Sequence, residues 1–316
     1  MHEDDLHAAL TELNRGRLAP PDALPADALP ADDWRAALAR EHALRHREIE
    51  FLEAELAAVR ATAQCAPRTS AAFVAWFEDL KLTGPGQGDP LFPWLATAAS
   101  VDDLRWFLKQ EVSGEAGFDD LVALTQLRMP LQTKLELARN YWDELGRGHA
   151  SGMHGPMLQR LAQALALDDH PAPIVWEALA LANAMVGLAA NRRYAYQAIG
   201  ALGVVELTAP GRSELVNEGL KRCGLSAHAR QYFALHATLD VKHSEAWNRE
   251  IFVSLVDARP EVAPLIAEGA LVRLAAGQRC FQRYRKELGV GGTAPPFGGA
   301  DARGQAPTVG ALHQAA

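Results

Sequence analysis

Apolar residues recur three and four positions apart through nearly every segment from Thr69 onward, the spacing of helices that bury one face. This periodicity predicts helices over residues 69–82, 100–113, 130–146, 156–167, 173–208, 211–222, 226–257 and 260–288, with ends good to about two to four residues. Ser100 with Asp103 forms a capping-box pattern, Pro130 suits a first helical turn, and Gly224 followed by Ser226 suits a stop and a restart. Upstream, a charge-rich helix is expected from Trp34 to about Gln64, capped by Asp32 or Asp33. Its apolar side carries Leu38, Leu44, Phe51, Leu52, Leu56 and Val59. Such a helix either lies on its own domain or serves a partner chain or a lid. No stretch alternates apolar and polar residues between hairpin turns, so the fold class is all-α.

Residues 18–33 are rich in Pro, Ala and Asp and read as a stiff, extended linker, and the chain turns to Gly, Pro and Ala from Gly289. The expected organisation is an acidic N-terminus and linker over 1–33, a helical extension over 34–65, a main helical domain over 66–288 and a disordered tail over 289–316.

Hydrophobic residues make up 49% of the 316, ample for a packed core. The 31 basic and 39 acidic side chains leave a net charge of −8 with no basic stretch, which argues against a nucleic-acid partner. The opening Met1-His-Glu-Asp-Asp lacks the basic-then-apolar order of a signal peptide. The longest apolar stretch, near Ala178 to Ala190, contains Asn183 and falls short of the ~20 residues that a bilayer span needs. A cytoplasmic protein with no membrane contact is expected. Cys65, Cys223 and Cys280 are far apart, without CxxC spacing, and fit buried thiols in a reducing compartment.

The candidate chemistry centres on His236, Asp240 and His243. At i, i+4 and i+7 these side chains leave a helix within about 40° of one another, as half of a metal site would require. Three glutamates stand where a helix should show apolar residues. Glu111 follows Leu104, Phe107 and Leu108; Glu206 follows Ile199, Leu202 and Gly203; Glu144 shares a face with Leu137 and Tyr141. A carboxylate on a core stripe costs several kcal/mol unless it is paired or coordinated, and no Arg or Lys on those stripes serves them all. With Asp240 the four carboxylates carry one negative charge each, which two divalent cations would neutralise, and imidazoles would add neutral nitrogen ligands. A donor set of oxygen and nitrogen without sulfur suits iron, with manganese as the alternative. Glu-x-x-His occurs nowhere, which disfavours a ferritin-like site.

The order Glu111, Glu144, His154, Glu206, then His236-x3-Asp240-x2-His243, resembles the haem-oxygenase-like di-iron oxidases and oxygenases. Trp142-Asp-Glu144-Leu-Gly-Arg-Gly148 followed by His154 is similar to that family's Glu-x-Gly-x-Gly…His segment. The likeness covers roughly residues 70–286, and the pattern is similar in particular to the di-iron N-oxygenase domain of streptozotocin biosynthesis. It implies a haem-oxygenase-like seven-helix bundle holding two Fe(II) ions that react with O2. By position it makes Glu144 the bridging ligand, with Glu111, His236 and Asp240 toward one iron and His154, Glu206 and His243 toward the other. The implied activity is O2-dependent oxidation of a small amino-acid-like metabolite in specialised-metabolite biosynthesis, foremost N-oxygenation of an amine or guanidine. The alternatives are oxidative C–C cleavage or desaturation of an amino or fatty acid and, in another class, a self-modifying or metal-binding interaction protein. An external electron donor and a homodimer are compatible with these readings. Arg192, Arg193 and Tyr194, upstream of Glu206, are weak candidates for substrate contact, through guanidinium–carboxylate pairing. The glycines at 146, 148, 152 and 155 lead to the expectation that His154 is the most labile ligand.

Overall fold

The computed structural model describes residues 2–18, 34–114 and 117–291, and among these there are helices and turns but no strand. In chain order the helices are α1 (Glu3–Leu18), α2 (Trp34–Ala63), α3 (Ser70–Thr83), α4 (Leu91–Thr97), α5 (Val101–Gly114), α6 (Phe118–Thr125) and α7 (Leu131–Glu144). There follow α8 (His154–Ala164), α9 (Trp176–Ala190), α10 (Ala195–Arg222), α11 (Gln231–Ala246), α12 (Val253–Ala258) and α13 (Ala263–Leu288). The expected linker lies outside the described residues over 19–33, and the expected disordered tail does so over 292–316.

The centre of the bundle is a backbone-to-backbone crossing of α10 and α13. A Cβ on Gly200 would stand 1.8 Å from the Ile266 carbonyl oxygen, and one on Gly269 would stand 1.8 Å from that of Gln197. Each helix therefore presents a glycine to the other's backbone, and only residues without a side chain permit that approach. Beside the crossing Gln197 donates to Glu268 at 3.0 Å, and Arg60 of α2 donates to the same carboxylate at 3.1 Å. Gly203, one turn on, makes room for Trp247 and Phe252, whose rings a Cβ would meet at 2.6 and 2.8 Å. Trp247 is fully buried there and serves core packing.

Several elements differ from the periodicity. The helix predicted over 173–208 breaks at Asn191, whose backbone is extended at φ −107° and ψ 112°. Its side chain donates to the Gly187 carbonyl at 2.7 Å and to Glu48 at 3.1 Å, supplying the last turn's missing partner and ending α9. In contrast, α10 runs straight through Pro210, where a stop was expected. Proline removes the donor for the Glu206 carbonyl, but packing against α4, α11 and α13 holds the helix together. The helix expected over 226–257 starts at Gln231 and widens into a π-turn over Trp247–Phe252 before α12. Short helices α4 and α6 were too brief for periodicity to reveal.

The N-terminal region is more ordered than its composition implied. Helix α1 docks on the apolar α9 through Asn14, which donates to Asn183 at 2.9 Å, while Asn183 donates to the His7 carbonyl at 3.0 Å. Thus the one polar residue in that apolar stretch receives α1. Helix α2 lies on its own chain: Leu52, Leu56 and Ala63 are buried, and Arg17 grips buried Glu48 with two bonds of 2.6 and 3.0 Å. The Ser100 capping box forms as expected, with Ser100 N to Asp103 at 2.8 Å and Asp103 N to Ser100 Oγ at 3.2 Å. Cys280 is buried, Cys223 is part-buried and Cys65, contrary to expectation, is exposed; all three are free.

Gly200→Ala or Gly269→Ala is expected to cost about 2–4 kcal/mol, because the added methyl must push two backbones apart. A Cβ on Gly211, on the same helix as Gly200, meets nothing within 4 Å. Gly211→Ala should therefore be neutral or stabilising by up to about 1 kcal/mol. Chemical denaturation of the three variants compares these costs, and equal stability for all of them would contradict the crossing.

Candidate metal centre

The site is assembled where the end of α7, the start of α8 and the middles of α10 and α11 converge. Glu144 is the last residue of α7. The chain then reverses through Gly146, Arg147 and Gly148, all left-handed at φ 59°, 52° and 84°. Gly146 sits so close to Gly152 that a Cβ would lie 2.5 Å from its carbonyl carbon. Arg147 donates to Asp143 at 2.6 Å, which holds the non-glycine residue of this turn. The reversal returns the chain to His154, first residue of α8, with its Nδ1 2.9 Å from Glu144 Oε2.

From α11, His236, Asp240 and His243 all point inward and are buried, as their spacing requires. From α10, Glu206 is buried. His243 Nδ1 stands 3.4 Å from Glu206 Oε2 and 3.7 Å from Glu144 Oε1, while the Nε2 atoms of His154 and His236 face each other in direct contact. Donor atoms therefore form two trios, Glu144–His154–His236 and Glu144–Glu206–His243, each lying within 4.8 Å, and Glu144 belongs to both. Glu111 of α5 and Asp240 fall in neither trio but line the same cavity of about 140 Å³ as Glu144, His154, Glu206 and His236. The grouping departs from the partition that the resemblance implied, because His154 sits with His236 and not with Glu206 and His243.

Three residues that the sequence reading did not single out orient these groups. Asp143 accepts from His243 Nε2 at 3.3 Å, which leaves Nδ1 to face Glu144 and Glu206. The Tyr232 carbonyl accepts from His236 Nδ1 at 2.5 Å, which leaves Nε2 free to point into the site. Asn140 donates to Glu206 Oε1 at 2.7 Å. Hydrogen bonds of this kind set which imidazole nitrogen carries a lone pair. Asn140 and Asp143 lie four and one residues before Glu144, so their helical register is the signal that could have found them.

Around Glu144 and Glu206 the electrostatics are those of carboxylates short of a cation. Burial pushes the Glu206 carboxyl up, and the nearby Glu144 charge adds to the push. Burial alone would pull His243 down, but its hydrogen bond to Glu206 and the charges of Glu206 and Glu144 win and raise it to about 9. Burial, with His154 beside it, drives His236 well below the ordinary histidine value. Among the described residues no Lys or Arg makes an ion pair with Glu144 or Glu206; their partners are imidazoles. Buried carboxylates facing nitrogen lone pairs are what a divalent cation stabilises, and oxygen and nitrogen donors without sulfur suit iron.

A family model described as iron-containing redox enzyme matches residues 105–278, more than half of the chain. The chain belongs to the iron-containing redox enzyme family. The matched span holds all seven candidate ligands. Its all-α bundle is the haem-oxygenase-like fold expected from the ligand order, and the family's chemistry makes the chain an oxidoreductase that uses iron. No curated protein matches the chain. No helix among the described residues is long and apolar enough to cross a membrane.

Arg192, Arg193 and Tyr194 form a short turn between α9 and α10, away from the cavity lining. Tyr194 donates to Glu53 of α2 at 2.9 Å and Arg193 approaches the same carboxylate at 3.4 Å. Burial and the Glu53 charge push the Tyr194 hydroxyl up to about 12. Arg193 and Tyr194 thus tie α2 to the bundle, and Arg192 is exposed.

Asp143→Asn should weaken iron binding by about 10- to 100-fold, since the amide neither fixes the His243 tautomer nor supplies charge. Anaerobic Fe(II) titration of the variant checks this, and unchanged affinity would remove Asp143 from the site's support.

Proposed function

We propose that Glu111, Glu144, His154, Glu206, His236, Asp240 and His243 hold two iron ions, with Glu144 shared between them. We infer an O2-dependent oxygenase of a small amino-acid-like metabolite, with N-oxygenation of an amine or guanidine nitrogen as its reaction. The observation that carries the reading is the pair of donor trios joined through Glu144. Four carboxylates in this set, one negative charge each, are enough to balance two ferrous ions, and Glu144 and Glu206, the carboxylates of the trios, have no Lys or Arg ion pair among the described residues.

When bound, two ferrous ions supply the electrons and the open coordination positions that O2 chemistry needs. The chain's own residues hold, orient and seal. Asp143, the Tyr232 carbonyl and Asn140 fix the ligands. Phe107, Leu108, Phe118, Leu158 and Val205 wall the cavity against water. Within this wall the substrate nitrogen would meet the metals in a partly enclosed space, where charge interactions are stronger than in bulk water. A small-molecule substrate and an external reductant complete the reading. His154, which the glycine-rich reversal delivers to α8, is the ligand whose loss should leave the Glu144–Glu206–His243 trio intact.

Anaerobic Fe(II) titration should find about two equivalents per chain in the full-length protein, about one in His154→Ala and no tight site in Glu144→Ala. With iron bound, O2 uptake should rise when an amine- or guanidine-bearing amino acid from a panel is added, and the product should gain oxygen on nitrogen. Loss of carbon or hydrogen from the product would instead assign cleavage or desaturation. Uptake that stops after one turnover with a mass change on the protein would assign self-modification. Fewer than two irons in the wild-type protein would end the di-iron reading.

A further inference from the structure

Two cavities share Arg212 in their walls. The inner one, about 140 Å³, is lined by Glu111, Glu144, His154, Glu206, His236 and Asp240, that is, by every proposed ligand except His243. A larger one of about 530 Å³ lies on the other side, bounded by α10, α11, α3 and the 86–93 segment. Phe92, Glu206 and Arg212 line both. Any molecule reaching the inner cavity from the larger one passes this trio.

Arg212 is fixed in place, with the Glu111 charge near it but no carboxylate in ion-pair contact among the described residues. It donates to Thr208 Oγ1 at 2.7 Å, and its guanidinium carbon lies 5.5 and 5.8 Å from the ring centroids of Phe281 and Phe92. In the outer chamber Lys81 pairs with Glu78 at 2.8 Å and Asp89 with Arg285 at 3.2 Å, so the chamber's lysine is already engaged. A second cation, Arg273 of α13, lines the inner cavity. Burial and the repulsion of Arg273 pull the Arg212 guanidinium down to about 9, against the attraction of Glu111.

We propose that Arg212, backed by Arg273, anchors a carboxylate of the substrate at the wall that the two cavities share. A part-desolvated guanidinium braced by aromatic rings is costly until an anion reaches it, and its planar fork matches a carboxylate through two parallel bonds. Such an acid, entering by the outer chamber, is held with its other end toward Glu144 and Glu206. This deepens the function proposed above and rests on it for the chemistry at the inner end. It moves substrate recognition from Arg192, Arg193 and Tyr194 to α10 and α13.

The test is calorimetric binding of hexanoate and of 1-hexanol, which share a chain and differ in charge, to full-length protein loaded with Fe(II) under argon and to the metal-free protein. Hexanoate should bind both forms, and bind them at least about tenfold more tightly than the alcohol. Arg212→Gln should erase that preference, Arg212→Lys should keep part of it, and neither should change the number of irons bound. Thermal melts confirm that both variants fold; if Arg212→Gln does not, Arg212→Lys and Arg273→Gln decide by their loss of hexanoate affinity. Hexanoate binding that is absent, no better than the alcohol, or unchanged in the variants would overturn the proposal. A wild-type protein that binds no iron yet shows Arg212-dependent hexanoate binding would sink only the di-iron reading.

Discussion

Two carboxylates, Glu144 and Glu206, are buried side by side with imidazoles, and among the described residues no lysine or arginine forms an ion pair with them. That unbalanced charge is the constraint around which the molecule is organised. Burying one uncompensated carboxylate costs several kcal/mol, and a second nearby raises the cost of both. Left with protons alone, the cluster answers by raising the affinity of Glu206 and His243 for hydrogen ions. A metal competes for the same lone pairs, so binding and proton release are coupled. Membership of an iron-using redox family supplies the cation class that the donors call for.

The fold spends its most demanding packing on keeping those donors in register. Gly200 and Gly269 let α10 and α13 touch along their backbones, which fixes the helix that carries both Glu206 and Arg212. Gly203 receives Trp247 from the π-turn that follows His243, so α10 and α11 are keyed together one turn from their buried charges. Extra residues of this kind in a helix often mark functional sites, because they re-aim one stretch against its neighbour. Pro210 leaves the Glu206 carbonyl without its helical donor, yet the surrounding helices keep α10 continuous. Local preference yields to tertiary contact there.

Much of the architecture was legible because helical period is a local property. The boundaries of α3, α5, α7 and α13, the Ser100 cap and the shared face of His236, Asp240 and His243 all follow from spacing within a few turns. Glutamates on apolar stripes announced themselves in the same way. The break at Asn191 was hidden because it depends on a side chain capping Gly187 while reaching Glu48, far away in sequence. Helix α1 was missed for a related reason, since its weakly patterned sequence becomes a docked helix only through Asn183.

By itself, then, the chain's order of residues determined the all-α class, the faces of its long helices and the residue types available for a metal. Each is set by neighbours three to seven positions apart. Only the tertiary structure decided that Glu144 is common to both donor trios, that His154 sits with His236, and that Asp143 and the Tyr232 carbonyl select the nitrogens facing inward. It also decided that Arg212, not Arg192 or Arg193, faces the cavity. Those outcomes depend on how distant helices cross and how the turn after Glu144 reverses, and pairwise distances of that kind are created by packing.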